Sequence, residues 1–391
     1  MLRPISSYDV IVAGAGIIGA SIAWHMAEMG AKTAILDISG PAAGASGASD
    51  GALSVASKSA GLMASLAGDA LRYGNALASQ DGPLTRVLQS RPSFLFSMCE
   101  EEDPVLDGLA AKLLDAGAPV RIVRDTGVEN ATLPNLGPKV RRVVELTGEA
   151  HLLGYEAVNR YLAHPDIDHH WPCGFQSVDQ DDTGLVVRTS CGDMKTRQLV
   201  VATGLEAKNQ FPDLPLRARS GQLIVTDRAA DPGSGGLPGL LTSASYLLDK
   251  SSERSTLPQA PVVIDPLRTG QFMIGSSRED HGTTKQTDFS TVARLLQSAV
   301  ACHPALADQR VLRVFAGVRA ATPDSRPIVG EHAHIPGIWF ATGFEGDGIC
   351  LSALIGREIA SAMTGGQIDS RLHHFSPGRF APFNQLKSVA S

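Results

Sequence analysis

Three glycines and an acid near the start of the chain, Gly14, Gly16, Gly19 and Asp37, have the types and spacing to hold a dinucleotide. Gly14 allows a tight turn, Gly16 lets backbone approach a pyrophosphate, and Gly19 lets a helix pack closely on a strand. With Ala15, Ile17 and Ile18 they set the unpaired N–H groups of a helix start against phosphate oxygens. Asp37, followed by Ile38, falls where a carboxylate accepts from ribose hydroxyls. A second glycine-rich turn, with Gly343, Glu345, Gly346, Asp347 and Gly348, enters another helix at Ile349. Two such helix entries, one at each end of the chain, imply one extended ligand touched at two places. Between them, residues 40–51 are small and hydroxyl-rich, with Ala45, Ser46, Ser49 and Gly51. A flexible linker has a similar composition. Their place directly after a strand argues instead for a loop lying against the ligand.

These groups need elements to position them. Residues 10–13 form an apolar run of the kind buried on both faces of a parallel sheet. Ala20, Ala23 and Ala27 recur on one side of a helix, Gly30 ends it, and residues 33–36 make a second strand. Residues 60–118 read mainly as helices, and the acidic run 100–103 reads as a solvated surface. Residues 120–170 are irregular. Residues 175–178, 185–188 and 199–204 form a small β-meander, whose last strand ends in Thr203 and Gly204. From 212 onward, strands at 222–226, 245–248, 262–264 and 271–275, a loop at 233–239 and a helix at 289–300 predict an antiparallel sheet. The chain then returns through 311–324 to a buried strand at 337–343. This divides it into a discontinuous nucleotide domain (1–80, 146–211 and 313–391) and a substrate domain (81–145 and 212–312).

A chain of 391 residues, 43% apolar and 19% charged, has enough apolar sequence for two globular domains. Its net charge of −6 gives no general attraction to nucleic acid or anionic membrane. No apolar run approaches the ~20 residues of a membrane span, and residues 1–7 leave no room for a secretory signal. The five cysteines, 99, 173, 191, 302 and 350, are scattered without a CxxC pair, which predicts free thiols and a cytoplasmic setting. His164, His169, His170 and Cys173 lie close in sequence, but their spacing matches no tight site, so no metal is expected.

In these motifs the chain resembles the superfamily of FAD proteins that includes D-amino-acid oxidase, glycine oxidase and sarcosine oxidase. The resemblance rests on residues 14–19 with Asp37, 199–204, 220–222, Tyr246, 316–324 and 343–349. The blocks at 221–226 and 316–319 are most similar to the flavin subunits of hydrogen cyanide synthase, D-hydroxyproline dehydrogenase and opine oxidases. Those relatives usually work with other flavin or iron–sulfur subunits. The resemblance implies a fold combining α/β and α+β parts. One is a Rossmann-like FAD-binding domain of the glutathione-reductase type; the other is a discontinuous antiparallel-sheet substrate domain. It implies noncovalent FAD held by the residues named above together with Val178 and Arg319. The N-terminus of the last helix would lie beside the flavin's pyrimidine edge.

In the relatives the arginine matching Arg319 clamps a substrate carboxylate with two charge-assisted bonds; a structural pairing with Asp324 is the alternative. Tyr246 matches a tyrosine that helps hold that carboxylate, the alternative being an ordinary strand tyrosine. Relatives often carry His where Phe344 stands, and sarcosine oxidases carry Lys at the place of Cys350. The implied reaction removes hydride from the carbon bearing nitrogen in a small amino, imino or N-substituted amino acid. An FAD-dependent 2-hydroxy-acid dehydrogenase and a flavin electron-relay subunit are the alternatives.

Overall fold

Val10, Ile11, Val12 and Ala13 have no solvent exposure because the strand that carries them runs between two parallel neighbours with packed layers on both faces. The computed structural model describes residues 6–58, 61–79, 81–115, 120–124, 133, 135–182, 184–229, 236–246, 261–280 and 286–380. Its first elements are β1 (Ser6–Ala13), α1 (Ile17–Glu28), β2 (Thr33–Leu36), β3 (Ala52–Leu53) and α2 (Leu62–Ala78). Then come β4 (Gln89–Ser90), β5 (Ser93–Phe96), α3 (Asp103–Asp115), β6 (Val120–Arg124), β7 (Val143–Leu146), β8 (Ala150–His151) and α4 (Gly154–Tyr161). The middle of the chain forms β9 (Ile167–His170), β10 (Phe175–Asp181), β11 (Gly184–Thr189), β12 (Met194–Val201), α5 (Ala207–Gln210) and β13 (Arg217–Thr226). It ends with β14 (Leu240–Ser243), β15 (Val263–Pro266), β16 (Phe272–Gly275), α6 (Phe289–Cys302), β17 (Val311–Ala321), β18 (Ile328–Glu331), β19 (Ile338–Thr342) and α7 (Gly348–Met363).

In the first sheet β1 lies between β12 and β2, both parallel to it, and β9 continues beyond β2. β10 and β11 extend the far edge antiparallel, while β19 joins the end of β12 in parallel. Val10 and Val12 point into a core shared with α1, α2 and α7; Ile11 and Ala13 point into one shared with Leu199, Val201 and Phe340. The carboxyl ends of β1, β12 and β19 run directly into Gly14, Thr203–Gly204 and Gly343. A parallel sheet gathers ligand-binding turns at that edge.

The second sheet runs β17-β13-β16-β15-β14-β5-β7-β6, with α6 packed on Ile224, Ile264 and Ile274 through Val292 and Leu295. Here the structure departs from the sequence reading. β17 does not return to the first sheet at 311–315. It pairs with β13 from Thr226↔Val311 to Arg217↔Ala321, because β13 offers it a ladder over its whole length. The proposed domain boundary at 313 therefore falls inside a strand of the second sheet. The stretch 60–118 is not all helical either: β5 carries the buried run Phe94-Leu95-Phe96 into the same sheet. Residues 245–246 continue β14 as a helical turn and not as a strand; 247–248, like 233–235 of the loop at 233–239, lie outside the described residues.

The acidic run is only partly solvated. Glu102 is 2% exposed and accepts the Met98 N–H at 2.7 Å, and Asp103 accepts from Ser97 at 2.6 Å and Arg141 at 3.1 Å. The cysteines are not all free thiols: Cys173 and Cys191 form a disulfide. The hairpin of β10 and β11 brings the two residues flanking it to a Cα separation of 5.6 Å, within bridging range. The expectation of free thiols fails at this pair. Cys99, Cys302 and Cys350 take no part in a disulfide. The nearby histidines have other partners: His164 faces Glu28, His170 meets Tyr8, and His169 stacks on Trp171. Among the described residues no helix is long and apolar enough to cross a membrane.

Candidate active site

At the first turn, side chains are excluded by contact. A Cβ on Gly14, whose φ is +109°, would lie 2.4 Å from the Ala202 carbonyl oxygen; one on Gly19 would lie 2.0 Å from the Gly14 carbonyl oxygen. Close approach of α1, β1 and the end of β12 thus requires glycine at both places. Asp37 is fixed against the turn: Oδ2 accepts the Ala15 N–H at 2.9 Å, and Oδ1 accepts from Ser39 and Gly40 at 2.8 Å each. Ser46 Oγ accepts the Ile17 N–H at 2.9 Å, satisfying one of the donors that open α1.

A cleft runs over this edge, walled by Gly14, Gly16, Ile17, Ile18 and Asp37 on one side and Gly343, Glu345 and Gly348 on the other. Ala45, Ser46, Thr203 and Gly204 complete the wall. Thr203 Oγ1 is buried there without a hydrogen-bond partner among the described residues. A hydroxyl left so in a glycine-lined cleft suits a polar ligand such as a dinucleotide.

The cleft continues into a cavity that shares Ile17, Ser46, Glu345 and Gly348 with it and adds Ser49, Asp50, Tyr246, Arg319, Gly346 and Ile349. A third cavity shares Asp50, Tyr246, Arg319 and Gly346 and reaches apolar Leu95, Leu240 and Val263 in the second sheet. Arg319 and Tyr246, from different strands' ends, therefore meet at the far end of the same opening. The Arg319 guanidinium donates to Ser276 Oγ at 3.1 Å and the Ser277 carbonyl at 3.5 Å. It lies against Gly221, where a Cβ would be 2.7 Å from both terminal nitrogens. Among the described residues no carboxylate pairs with it. Asp324, the alternative partner, is held by Arg379 at 2.8 Å.

Glu345, with φ +50°, accepts from Arg219 at 3.0 Å and from Arg278. Arg219 also binds Asp280 at 2.6 Å. Burial pulls the Arg219 pKa down, but Asp280 and Glu345 together outweigh it and hold the guanidinium above its ordinary value. Lys58, on the third cavity's wall, pairs with Asp347 at 2.9 Å and has a side chain 3% exposed.

Several candidate residues lie off the cavity walls. Ile38 is 57% exposed, and Val178 is buried in the core with Phe175 and Val187. Gly51 serves packing, since a Cβ there would meet His151 Nε2 and the Leu152 carbonyl at 2.8 Å. Ala15 and Gly19 form the turn behind the wall, and Asp347 faces Lys58. The sequence reading misses Lys58, Asp50, Arg278 and Gly221 as site residues. Only Gly221 carries a local signal, a glycine in the middle of a strand.

A family model for FAD dependent oxidoreductases, abbreviated DAO, matches residues 9–362. The chain belongs to this family of FAD-dependent oxidoreductases. An opine oxidase subunit of Agrobacterium tumefaciens (strain Ach5) is 26% identical over 390 residues, covering 95% of this chain and 97% of the relative. The hydrogen cyanide synthase subunit HcnC of Pseudomonas aeruginosa is 25% identical over 437 residues, covering 98% and 99%. Among solved structures, glycine oxidase from Geobacillus kaustophilus superposes with a TM-score of 0.84 at 22% identity, over 95% of this chain and 98% of that one, a likeness of fold. The cofactor is thus FAD, and the glycine turns, Asp37 and the Thr203 hydroxyl, unpartnered among the described residues, fit it.

Proposed function

We propose that the protein oxidises the carbon–nitrogen bond of a small amino, imino or N-substituted amino acid, with Arg319 holding the substrate carboxylate. One observation carries this reading: a guanidinium without a carboxylate partner among the described residues lines a cavity that opens onto the cofactor cleft. A half-buried cation so placed favours an anionic ligand, and a planar fork binds a carboxylate through two parallel bonds. Tyr246 shares that cavity, where its hydroxyl can donate to the same carboxylate. The relatives support the substrate class, being named for the oxidation of an opine in one case and of glycine in another.

FAD, when bound, supplies the redox chemistry by accepting hydride. The chain's part is orientation and exclusion. Arg319 and Tyr246 fix one end of the substrate, which holds its Cα–H toward the cleft. Leu95, Leu240 and Val263 give the cavity an apolar inner wall and displace water.

The test is a screen of carboxylate-bearing amines and 2-hydroxy acids for bleaching of the flavin absorbance without oxygen, followed by product analysis. Bleaching by amines with release of ammonia or an amine supports the reading. Bleaching by 2-hydroxy acids alone would sink it.

A further inference from the structure

The first turn of α7 carries a contradiction. Its unpaired N–H groups present roughly half a positive charge along Gly346, Gly348 and Ile349, which line the cofactor opening. Such an end favours the negative charge that the flavin must take up with hydride. Asp347, immediately before Gly348, sets a carboxylate at that same end, with a side chain only 13% exposed. A full negative charge there suits the helix itself but offsets the positive field that the helix presents to the flavin.

The Lys58 ammonium lies 2.9 Å from Asp347 Oδ1 and also donates to Ser57 Oγ at 3.1 Å. It is delivered by a loop anchored from outside. Glu149, itself buried, accepts from Val55 N–H at 2.8 Å, Ala56 N–H at 3.2 Å and the Ser93 hydroxyl at 3.0 Å. Burial pulls the lysine's pKa down, but Asp347, with Cys350 and Glu149 beyond it, outweighs burial and holds it above the ordinary lysine value. A buried ion pair is weak evidence for stability, because desolvation offsets its attraction. Its place at a helix start beside the cofactor opening calls for another account.

We propose that Lys58 cancels the charge of Asp347, so that the start of α7 stays net positive toward the flavin and the bound FAD is easier to reduce. This rests on reading the cleft as the FAD site, and it is independent of which amine the enzyme oxidises. The neighbouring charges have other partners: Arg278 is committed to Glu345, and Arg319 donates to Ser276 and Ser277.

The midpoint potential of the FAD-loaded protein, measured against a reference dye without any substrate, tests this. Lys58→Met should shift the balance of oxidised and reduced flavin at least tenfold toward oxidised, a midpoint ~30 mV lower for a two-electron couple. Lys58→Arg should stay near the native value, and Asp347→Asn added to Lys58→Met should recover most of the loss. Asp347→Asn alone removes the carboxylate nearest the ammonium and should raise the potential. That variant decides the matter if Lys58→Met fails to retain FAD. A native midpoint in Lys58→Met, no recovery in the double variant, or an unchanged or lower potential in Asp347→Asn would overturn the proposal. Any of these leaves the carboxylate role of Arg319 standing, since no substrate enters the measurement.

Discussion

Arg319 and Asp324 lie a few residues apart, yet the structure gives Asp324 to Arg379 and leaves the Arg319 guanidinium with two neutral acceptors. A carboxylate substrate loses both charge-assisted bonds in Arg319→Met, each worth roughly 1.5–3 kcal/mol. The variant's kcat/KM should fall at least about a hundredfold, with FAD content and the flavin spectrum unchanged. Arg319→Lys should restore only part, because an ammonium cannot make the fork. Tyr246→Phe removes one neutral hydrogen bond and should cost roughly tenfold or less. The opposite pattern, FAD lost in Arg319→Met and turnover abolished by Tyr246→Phe alone, would make Arg319 structural.

At the scale of elements, the β1–α1 turn and the α1–α2 contact invite separate tests. A methyl on Gly19 would press on the Gly14 carbonyl at 2.0 Å, so Gly19→Ala should push α1 off β1. Overpacking of this kind costs about 1–3 kcal/mol, and FAD affinity should fall with it. Gly30 is a fair control, because a Cβ there meets nothing within 4 Å and only its φ of +79° is unfavourable. Gly30→Ala should keep its FAD; loss of FAD in both variants alike would show that the effect is not local.

His25, on α1, donates Nδ1–H to the Ser21 carbonyl at 2.7 Å and accepts from the Tyr73 hydroxyl through Nε2 at 3.0 Å. Burial lowers its pKa from 6.5 to about 4. Between those values the unfolded chain binds a proton that the folded chain refuses, so stability is full above pH 6.5 and falls as pH drops toward 4. The loss should approach about 3 kcal/mol, at 1.36 kcal/mol per pKa unit. Urea midpoints at pH 7 and pH 4.5 should show a smaller decline in His25→Gln; an identical decline would assign the acid sensitivity elsewhere.

For the whole molecule, the cofactor cleft lies along the carboxyl edge of one sheet, and the cavity beyond it reaches side chains of the other. The purified protein should be yellow with one FAD, and acid precipitation should leave the flavin in the supernatant; flavin remaining with the precipitate would mean a covalent link. Two of its relatives are named as subunits. On that kinship we expect electrons to pass mainly to a partner protein or a quinone. Stoichiometric peroxide formed at high turnover by the isolated chain would refute this.

The sequence alone determined both ends of the cleft. Gly14, Gly16, Gly19 and Asp37 lie within one strand–helix–strand unit, and residues 343–348 within one turn, so backbone geometry over short range suffices to define them. It also carried the alternation of strands and turns that marks the second sheet. What it left open are the matters settled across the sheets. β17 belongs to the second sheet because β13 pairs with it from Arg217↔Ala321 to Thr226↔Val311. Cys173 meets Cys191 through the register of a hairpin, and Lys58 meets Asp347 because Glu149 anchors its loop. Tertiary structure decided these, since charges and thiols pair by distance through space, and that distance follows from strand register and loop anchoring between segments far apart in the chain.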